Sequence, residues 1–233
     1  MDVPRVVRRA GHVVAALRSV VALKRRLRRV RSLEDAVELA FSFRSGGITI
    51  VPAQRPGEIL DLLRLIAAEP PRTVVEIGTN RGGSLFLLSR AVAHDATIVS
   101  VDLPGGPFGG GYSPTLKPLY HAFARRRQRI HLLRADSHDP ATTARVGRLL
   151  RGRAIDLLFI DGDHTLEGVR ADYELYAPLV RPGGLICFHD IVPDASDDVG
   201  VPAFWRDVSA GHETLEFVAE GPVSGMGIGV LRR

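Results

Sequence analysis

The stretch "LLFIDGDHTLEGV", Leu157 to Val169, decides how the chain is read. Its apolar run, Leu157 to Ile160, ends abruptly in Asp161-Gly162-Asp163-His164. A run this short and this apolar predicts a strand buried on both faces, as in a parallel sheet covered by helices. A second run, "GGLICFHDIVP", repeats the pattern with Leu185 to Phe188 followed by His189-Asp190. Upstream, "TVVEIG" (73–78) carries Glu76 and Gly78, "TIVSVD" (97–102) ends in Asp102, and "RIHLLRAD" (129–136) ends in Asp136. All five strands end in or near a carboxylate, which a stable core does not require. Parallel sheets bind ligands outside the carboxyl ends of their strands, so these side chains emerge where an active site belongs.

Helical patterns separate the strands, at 83–93, 116–126, 141–151 and 165–178. A further helix at 201–209 precedes two terminal strands, "TLEFVAE" and "GIGVLRR". Ahead of the first strand, 33–44 reads as a short helix and "ITIVP" as a small extended piece. "PGEILDLLRLIAA" puts Ile59, Leu62, Leu63 and Ile66 on one helical face, with Pro56 near its start. The expected class is α/β: a doubly wound, mostly parallel, Rossmann-like sheet with helices on both faces and a C-terminal antiparallel strand pair.

The 233 residues suit one such domain with an N-terminal appendage, residues 1–54 forming a basic helical arm and cap and residues 55–233 the domain. The net charge of +5 belongs to the arm: residues 1–31 hold ten Lys/Arg against Asp2, while the remainder carries −4. A mildly acidic body argues against a nucleic-acid partner. Leu23, Leu27 and Val30 keep helical spacing beside the run Lys24 to Arg29. The arm therefore reads either as a peripheral contact for anionic lipid or a partner, or as a frayed, solvated helix ahead of the domain. Its apolar stretches are too short to span a bilayer and do not form a secretory signal. The lone Cys187 sits in an apolar run, which excludes a disulfide framework and points to a reducing, cytoplasmic setting. A homo-oligomer is expected.

The loop "EIGTNRGGS" after the first core strand is rich in small residues, which let a ligand approach the backbone ahead of a helix with free N–H groups. Asp102, 24 residues after Gly78, suits the two hydroxyls of a ribose. A dinucleotide loop would carry G-x-G-x-x-G, but Asn80 stands at the second glycine's place.

"VVEIGTNRGGS", "SVD", "LLRADSHD", "LLFIDGDHTLEGVRADYELYAPLVRPGGLICFHDIV" and the terminal "GIGVL" together resemble a class I S-adenosylmethionine-dependent methyltransferase of the bacterial catechol O-methyltransferase-like and cephalosporin-hydroxylase-like branch. The resemblance covers about residues 55–233. It implies that Glu76, Gly78 and Ser84 line the methionine part of S-adenosylmethionine, with Asn80 and Gly82 in the same loop. It also implies that Asp102 takes the ribose and that Asp136 and Ser137 flank the adenine. By the same resemblance, Asp161 and Asp190 hold a divalent cation, Mg²⁺ or Mn²⁺, and His164 stands at the general base's place, with His189 beside them. Ile191 departs from the pattern, since metal-binding relatives usually offer a further oxygen ligand there.

The implied activity is methyl transfer to a hydroxyl of a small molecule, such as a sugar, phenol or natural product. Removal of the hydroxyl proton is the chemical demand, which an imidazole or a metal-lowered pKa meets. Plainer uses stay open: Asp163 capping the next helix, His164 as a loop histidine, and His189 bonded to backbone. The Gly/Pro-rich loop 103–118 reads as a lid, with Phe108, Tyr112 and Tyr120 offered to an acceptor ring, or as a rigid connection. Two other functions compete: a nicotinamide-dependent oxidoreductase, and a non-catalytic partner protein that keeps the fold.

Overall fold

The computed structural model describes residues 5–106, 110–194, 199–221 and 225–233. Helix α1 (Arg5–Leu27) and helix α2 (Leu33–Ser42) lead into a small hairpin, β1 (Arg44–Ser45) and β2 (Ile48–Thr49), then α3 (Pro56–Ala68). The body follows as β3 (Thr73–Ile77), α4 (Gly83–Ala91), β4 (Thr97–Asp102), α5 (Lys117–His121), β5 (Arg129–Arg134), α6 (Pro140–Leu149), β6 (Ile155–Ile160), α7 (Leu166–Tyr176) and β7 (Val180–His189). It closes with α8 (Val201–Ser209), β8 (Thr214–Phe217) and β9 (Ile228–Arg232).

The seven long strands form one sheet in the order β5-β4-β3-β6-β7-β9-β8. The first five are parallel, and β9 runs antiparallel to both β7 and β8. The expected class is therefore found, with the C-terminal strands inserted as 7-9-8 at one edge. The chain winds outward from β3 through β4 to β5, then returns to β6 on the other side of β3. That reversal opens a crevice between the carboxyl ends of β3 and β6, the usual ligand position in such sheets.

Every residue of β3 and β4 is buried. Alternate side chains feed two cores, as the two-residue strand period requires. Val74, Ile98, Leu157 and Cys187 pack with α2, α3, α4 and α5 on one face. Val75, Val99, Leu158 and Phe188 pack with α6, α7 and α8 on the other. Two elements differ from expectation. The helix expected at 116–126 is a 3-10 turn (Pro114–Leu116) followed by a short α5 that starts with Pro118 in its first turn and ends at His121; the left-handed Arg126 keeps the chain from resuming a helix before β5. Strand β7 begins earlier than the pattern suggested and stops at His189, because Asp190 turns left-handed at φ +62.

The N-terminal arm is not detached. Ala16, Ser19 and Leu23 are fully or almost fully buried, and Leu23 shares a core with Ile59, Leu85 and Phe123. The Ser19 hydroxyl donates to the Ser45 carbonyl at 3.1 Å, and Arg26 donates to the Ser42 side chain at 2.6 Å. A frayed, solvated helix, the plainer of the two expectations for the arm, is thereby corrected: a narrow stripe of small residues lets α1 lie close against the body. No helix among the described residues is long and apolar enough to cross a membrane.

Candidate functional site

A cavity of about 340 Å³ lies over the β3–β6 crevice, walled by the loops that follow β3, β4, β5 and β6. Its floor depends on one glycine. Gly78 has φ +96, and a Cβ there would lie 1.8 Å from the Asp161 carbonyl oxygen. Only glycine lets the ends of β3 and β6 converge, tied by Asp161 N–H to Ile77 O at 2.9 Å, while Gly78 N–H bonds on the other side to Val101 O of β4 at 2.8 Å. Asn80, at the place of the second glycine, adopts φ +43. Asparagine tolerates that left-handed backbone better than other side chains, so the loop keeps its path.

Asp102 is 5% exposed and lies on the cavity wall. Its Oδ2 accepts backbone N–H groups from Asn80 (3.2 Å), Gly111 (3.1 Å) and Tyr112 (3.3 Å). Burial raises its pKa, and those three N–H groups oppose the rise. Asp136 and Ser137, after β5, also line the cavity, as do Gly78, Asn80 and Ser84. Two residues expected to contact the cofactor do not line it. Glu76 is wholly buried beneath the floor, bonded by Ser100 and Ser84, and desolvation pushes its carboxyl up to about 8. Gly82 begins α4 at φ +77 against the Tyr120 ring, so it shapes the loop from behind.

The carboxyl ends of β6 and β7 bring Asp161, His164 and Asp190 together, each offering one ligand atom within 4.8 Å of the others. His164 Nδ1 lies 2.6 Å from Asp190 Oδ2, and Nε2 lies 3.8 Å from Asp161 Oδ1. Burial alone would depress the His164 pKa, but the hydrogen bond to Asp190 and the charge of Asp161 outweigh it and raise the value. The Asp190 carboxyl is held well below its usual range: burial works against the anion, but the two histidines prevail. The Gly200 N–H fixes the His164 carbonyl at 2.7 Å. His189 is 3% exposed and lies behind the cavity, its Nδ1 3.2 Å from Asp161 and 3.1 Å from Asp190. Desolvation opposes its protonation, yet the paired carboxylates push it up to about 10. It lies against both carboxylates and does not line the main cavity. Asp163 accepts from the Thr165 N–H (2.9 Å) and hydroxyl (2.8 Å) in a turn ahead of α7, but the cap is Thr165, whose hydroxyl accepts from the Gly168 N–H at 3.0 Å, so the expectation that Asp163 caps this helix is corrected.

Sequence reasoning missed the segment after β2. Val51, Pro52, Ala53 and Gln54 form one wall of the cavity, because Gly83 leaves room for the backbone at 50–52 to cross α4. Gln54 Nε2 donates to Asp161 Oδ2 at 2.7 Å, while its buried Oε1 has no hydrogen-bond partner among the described residues. The boundary at residue 54 thus cuts through the site. The only signal was a glutamine set between Pro52 and Pro56. In and beside loop 103–118, the tyrosines are placed as the rigid-connection alternative has them and not as acceptor contacts of a lid. Tyr112 and Tyr120 are buried edge to face, 5.1 Å apart, and Tyr120 OH donates to Asn80 O at 3.1 Å. They brace the loop instead of facing an acceptor, and Phe108 lies outside the described residues. His138 also lines the cavity, with Nε2 3.4 Å from Oδ1 of Asp172, whose side chain is fully buried.

A family model described as a methyltransferase domain matches residues 75–191. Two curated relatives are uncharacterized proteins. One, from Sinorhizobium fredii, is 28% identical over 66% of this chain and 17% of its own length. The other, from Acanthamoeba polyphaga mimivirus, is 34% identical over 51% of each. The chain therefore spans a fraction of the length of these relatives. Among solved structures, an O-methyltransferase from Bacillus cereus in complex with SAH aligns with TM-score 0.60 at 17% identity, over 88% of this chain and 93% of that one. The O-methyltransferase TomG from Streptomyces achromogenes, involved in tomaymycin synthesis and solved with SAM, aligns with TM-score 0.57 at 18% identity, over 88% and 90%. At those identities the likeness speaks to the fold.

Proposed function

The chain belongs to the S-adenosylmethionine-dependent methyltransferase-domain family, and on that premise we propose that it transfers the methyl group to a hydroxyl of a small molecule, a sugar, phenol or natural product. One observation carries the reading: a single cavity is lined by Asp102 on one side and by Asp161 and His164 on the other, with Asp190 behind them against His164. The family accounts for the first; oxygen as the acceptor atom rests on the second. Membership also sets aside the nicotinamide-dependent alternative.

Asp102 has no hydrogen bond on Oδ1 among the described residues, so that oxygen is available to the ribose hydroxyls. Gly78, Asn80 and Ser84 give the methionine part close access to backbone, and Asp136 and Ser137 border the adenine. Held in line, the acceptor oxygen bonds to the methyl carbon as the carbon–sulfur bond breaks, leaving S-adenosylhomocysteine. The hydroxyl proton passes to His164. Asp190 accepts from His164 Nδ1, which fixes the tautomer and leaves Nε2 to take that proton. Gln54 and His189 hold the Asp161 carboxylate in place.

The paired carboxylates Asp161 and Asp190 offer hard oxygen donors that fit a divalent cation such as Mg²⁺ or Mn²⁺. Asp161 and Asp190 would hold it, with His164 kept for the proton. Bound there, it would lower the pKa of an acceptor hydroxyl.

The test is a methyl-transfer screen over acceptor classes, with labelled S-adenosylmethionine, with and without divalent metal, on the chain and on His164→Ala. Transfer to a hydroxyl that fails in His164→Ala supports the reading. Transfer to nitrogen or carbon alone refutes the acceptor class. Transfer undiminished in His164→Ala refutes the base.

A further inference from the structure

Helix α1 has two faces of opposite use. One buries Ala16, Ser19 and Leu23 against the body. The other points away from it and still carries large aliphatic side chains: Val13 is 41% exposed, Val14 48%, Leu17 53% and Val21 69%. At 3.6 residues per turn, Val14, Leu17 and Val21 share a stripe with Lys24 and Arg25, all exposed. Arg18 borders that stripe, and Arg28 and Arg29 follow in the turn after the helix, also exposed. No acidic residue lies between Asp2 and Glu34. A solvated helix face gains nothing from four exposed aliphatics, and a patch of this kind marks a contact surface.

We propose that this outward face docks the chain on an anionic lipid bilayer, with α1 lying in the plane of the interface. The composition selects that occupant. Cations unrelieved by any acid, interleaved with aliphatics, match headgroup phosphates above an acyl layer. A nucleic acid would use the cations and leave Val14, Leu17 and Val21 without a role. Helix α1 is amphipathic twice over, one stripe serving the core and the other the surface. The docking is peripheral, since the helix is anchored to the body by Leu23 and by Arg26 on Ser42. It would hold the cavity near acceptors dissolved in or tethered to the membrane.

Vesicle co-sedimentation of the full chain tests this. Phosphatidylcholine vesicles are compared with vesicles in which phosphatidylglycerol replaces a third of the lipid, at low and high salt. Leu17→Asp and Val21→Asp alter exposed side chains only, and unchanged melting and cofactor binding verify the fold. The expected result is binding to the anionic vesicles, falling about tenfold or more at high salt and by a similar factor in each variant. Absence of binding to anionic vesicles, or equal binding by the variants, overturns the proposal. A wild-type dimer that both variants split into monomers, seen by light scattering, also overturns it by assigning the face to a second copy.

Discussion

Gly78 and Asp161 touch through their backbones: the space where a Cβ of residue 78 would sit is filled by the Asp161 carbonyl. The strand that opens the cofactor loop and the strand that delivers the acidic cluster are thereby locked together. Gly78→Ala must relieve both this overlap and an unfavourable φ of +96. The expected loss is about 2–5 kcal/mol of stability, combining backbone strain with overpacking. Gly147→Ala is the control, because nothing lies within 4 Å of its added Cβ in α6. It should be neutral or raise stability by up to about 1 kcal/mol. Urea unfolding midpoints measure both.

Leu23→Ala tests whether α1 is part of the fold. Leu23 is fully buried, so truncation should cost about 2–5 kcal/mol, and deletion of residues 1–31 should destabilise the body. A deletion variant with unchanged melting temperature would return α1 to the status of a dispensable arm.

The His138–Asp172 pair gives a pH-dependent stability. The hydrogen bond to Asp172 leads the causes that raise His138 to about 8, with partial burial opposing it. A raised histidine stabilises the fold fully below its unfolded value, about 6.5, and that contribution is lost as pH rises through about 8. Glu76 acts in the same direction over a wider range, since its carboxyl is raised from 4.5 to about 8 and folding favours its protonated form. The diagnostic is therefore a difference: Asp172→Asn should flatten the fall in melting temperature between about pH 6.5 and pH 8 while keeping the part due to Glu76. Parallel curves for the two proteins would remove the pair from the stability account.

Gln54→Ala removes the donor to Asp161 and leaves the sheet intact. Methyl transfer should fall roughly 10- to 100-fold, equivalent to about 1.5–3 kcal/mol for a hydrogen bond to a charged group. Cofactor affinity should change by only a few-fold. Steady-state kinetics beside titration calorimetry separate the two quantities, and a loss confined to cofactor affinity would reassign Gln54.

What could be read from the sequence was what local pattern determines. Strands β3, β4 and β6 are covered on both faces, so burial leaves short apolar runs, and their acidic ends mark the crevice. Gln54 was not legible, because its partner Asp161 lies 107 residues away and its segment has no periodicity. The burial of α1 was hidden for a different reason. Its inward side mixes Ala16 and Ser19 with Val20, Leu23 and Leu27, while Val13, Val14, Leu17 and Val21 are as apolar and face outward, so hydrophobicity alone does not choose a side. The bracing role of His189 depends on a left-handed turn at Asp190 that no local pattern announces.

The central claim is that the β3–β6 cavity is the cofactor site, with Asp102 on the ribose. Titration calorimetry of S-adenosylmethionine into the full chain and into Asp102→Ala tests it most directly, with NAD as the contrasting ligand. The account predicts one-to-one binding of S-adenosylmethionine, none of NAD, and a loss of about 1.5–3 kcal/mol in Asp102→Ala, roughly 10- to 100-fold in affinity. Failure of the wild-type chain to bind S-adenosylmethionine, or equal affinity in Asp102→Ala, would contradict it.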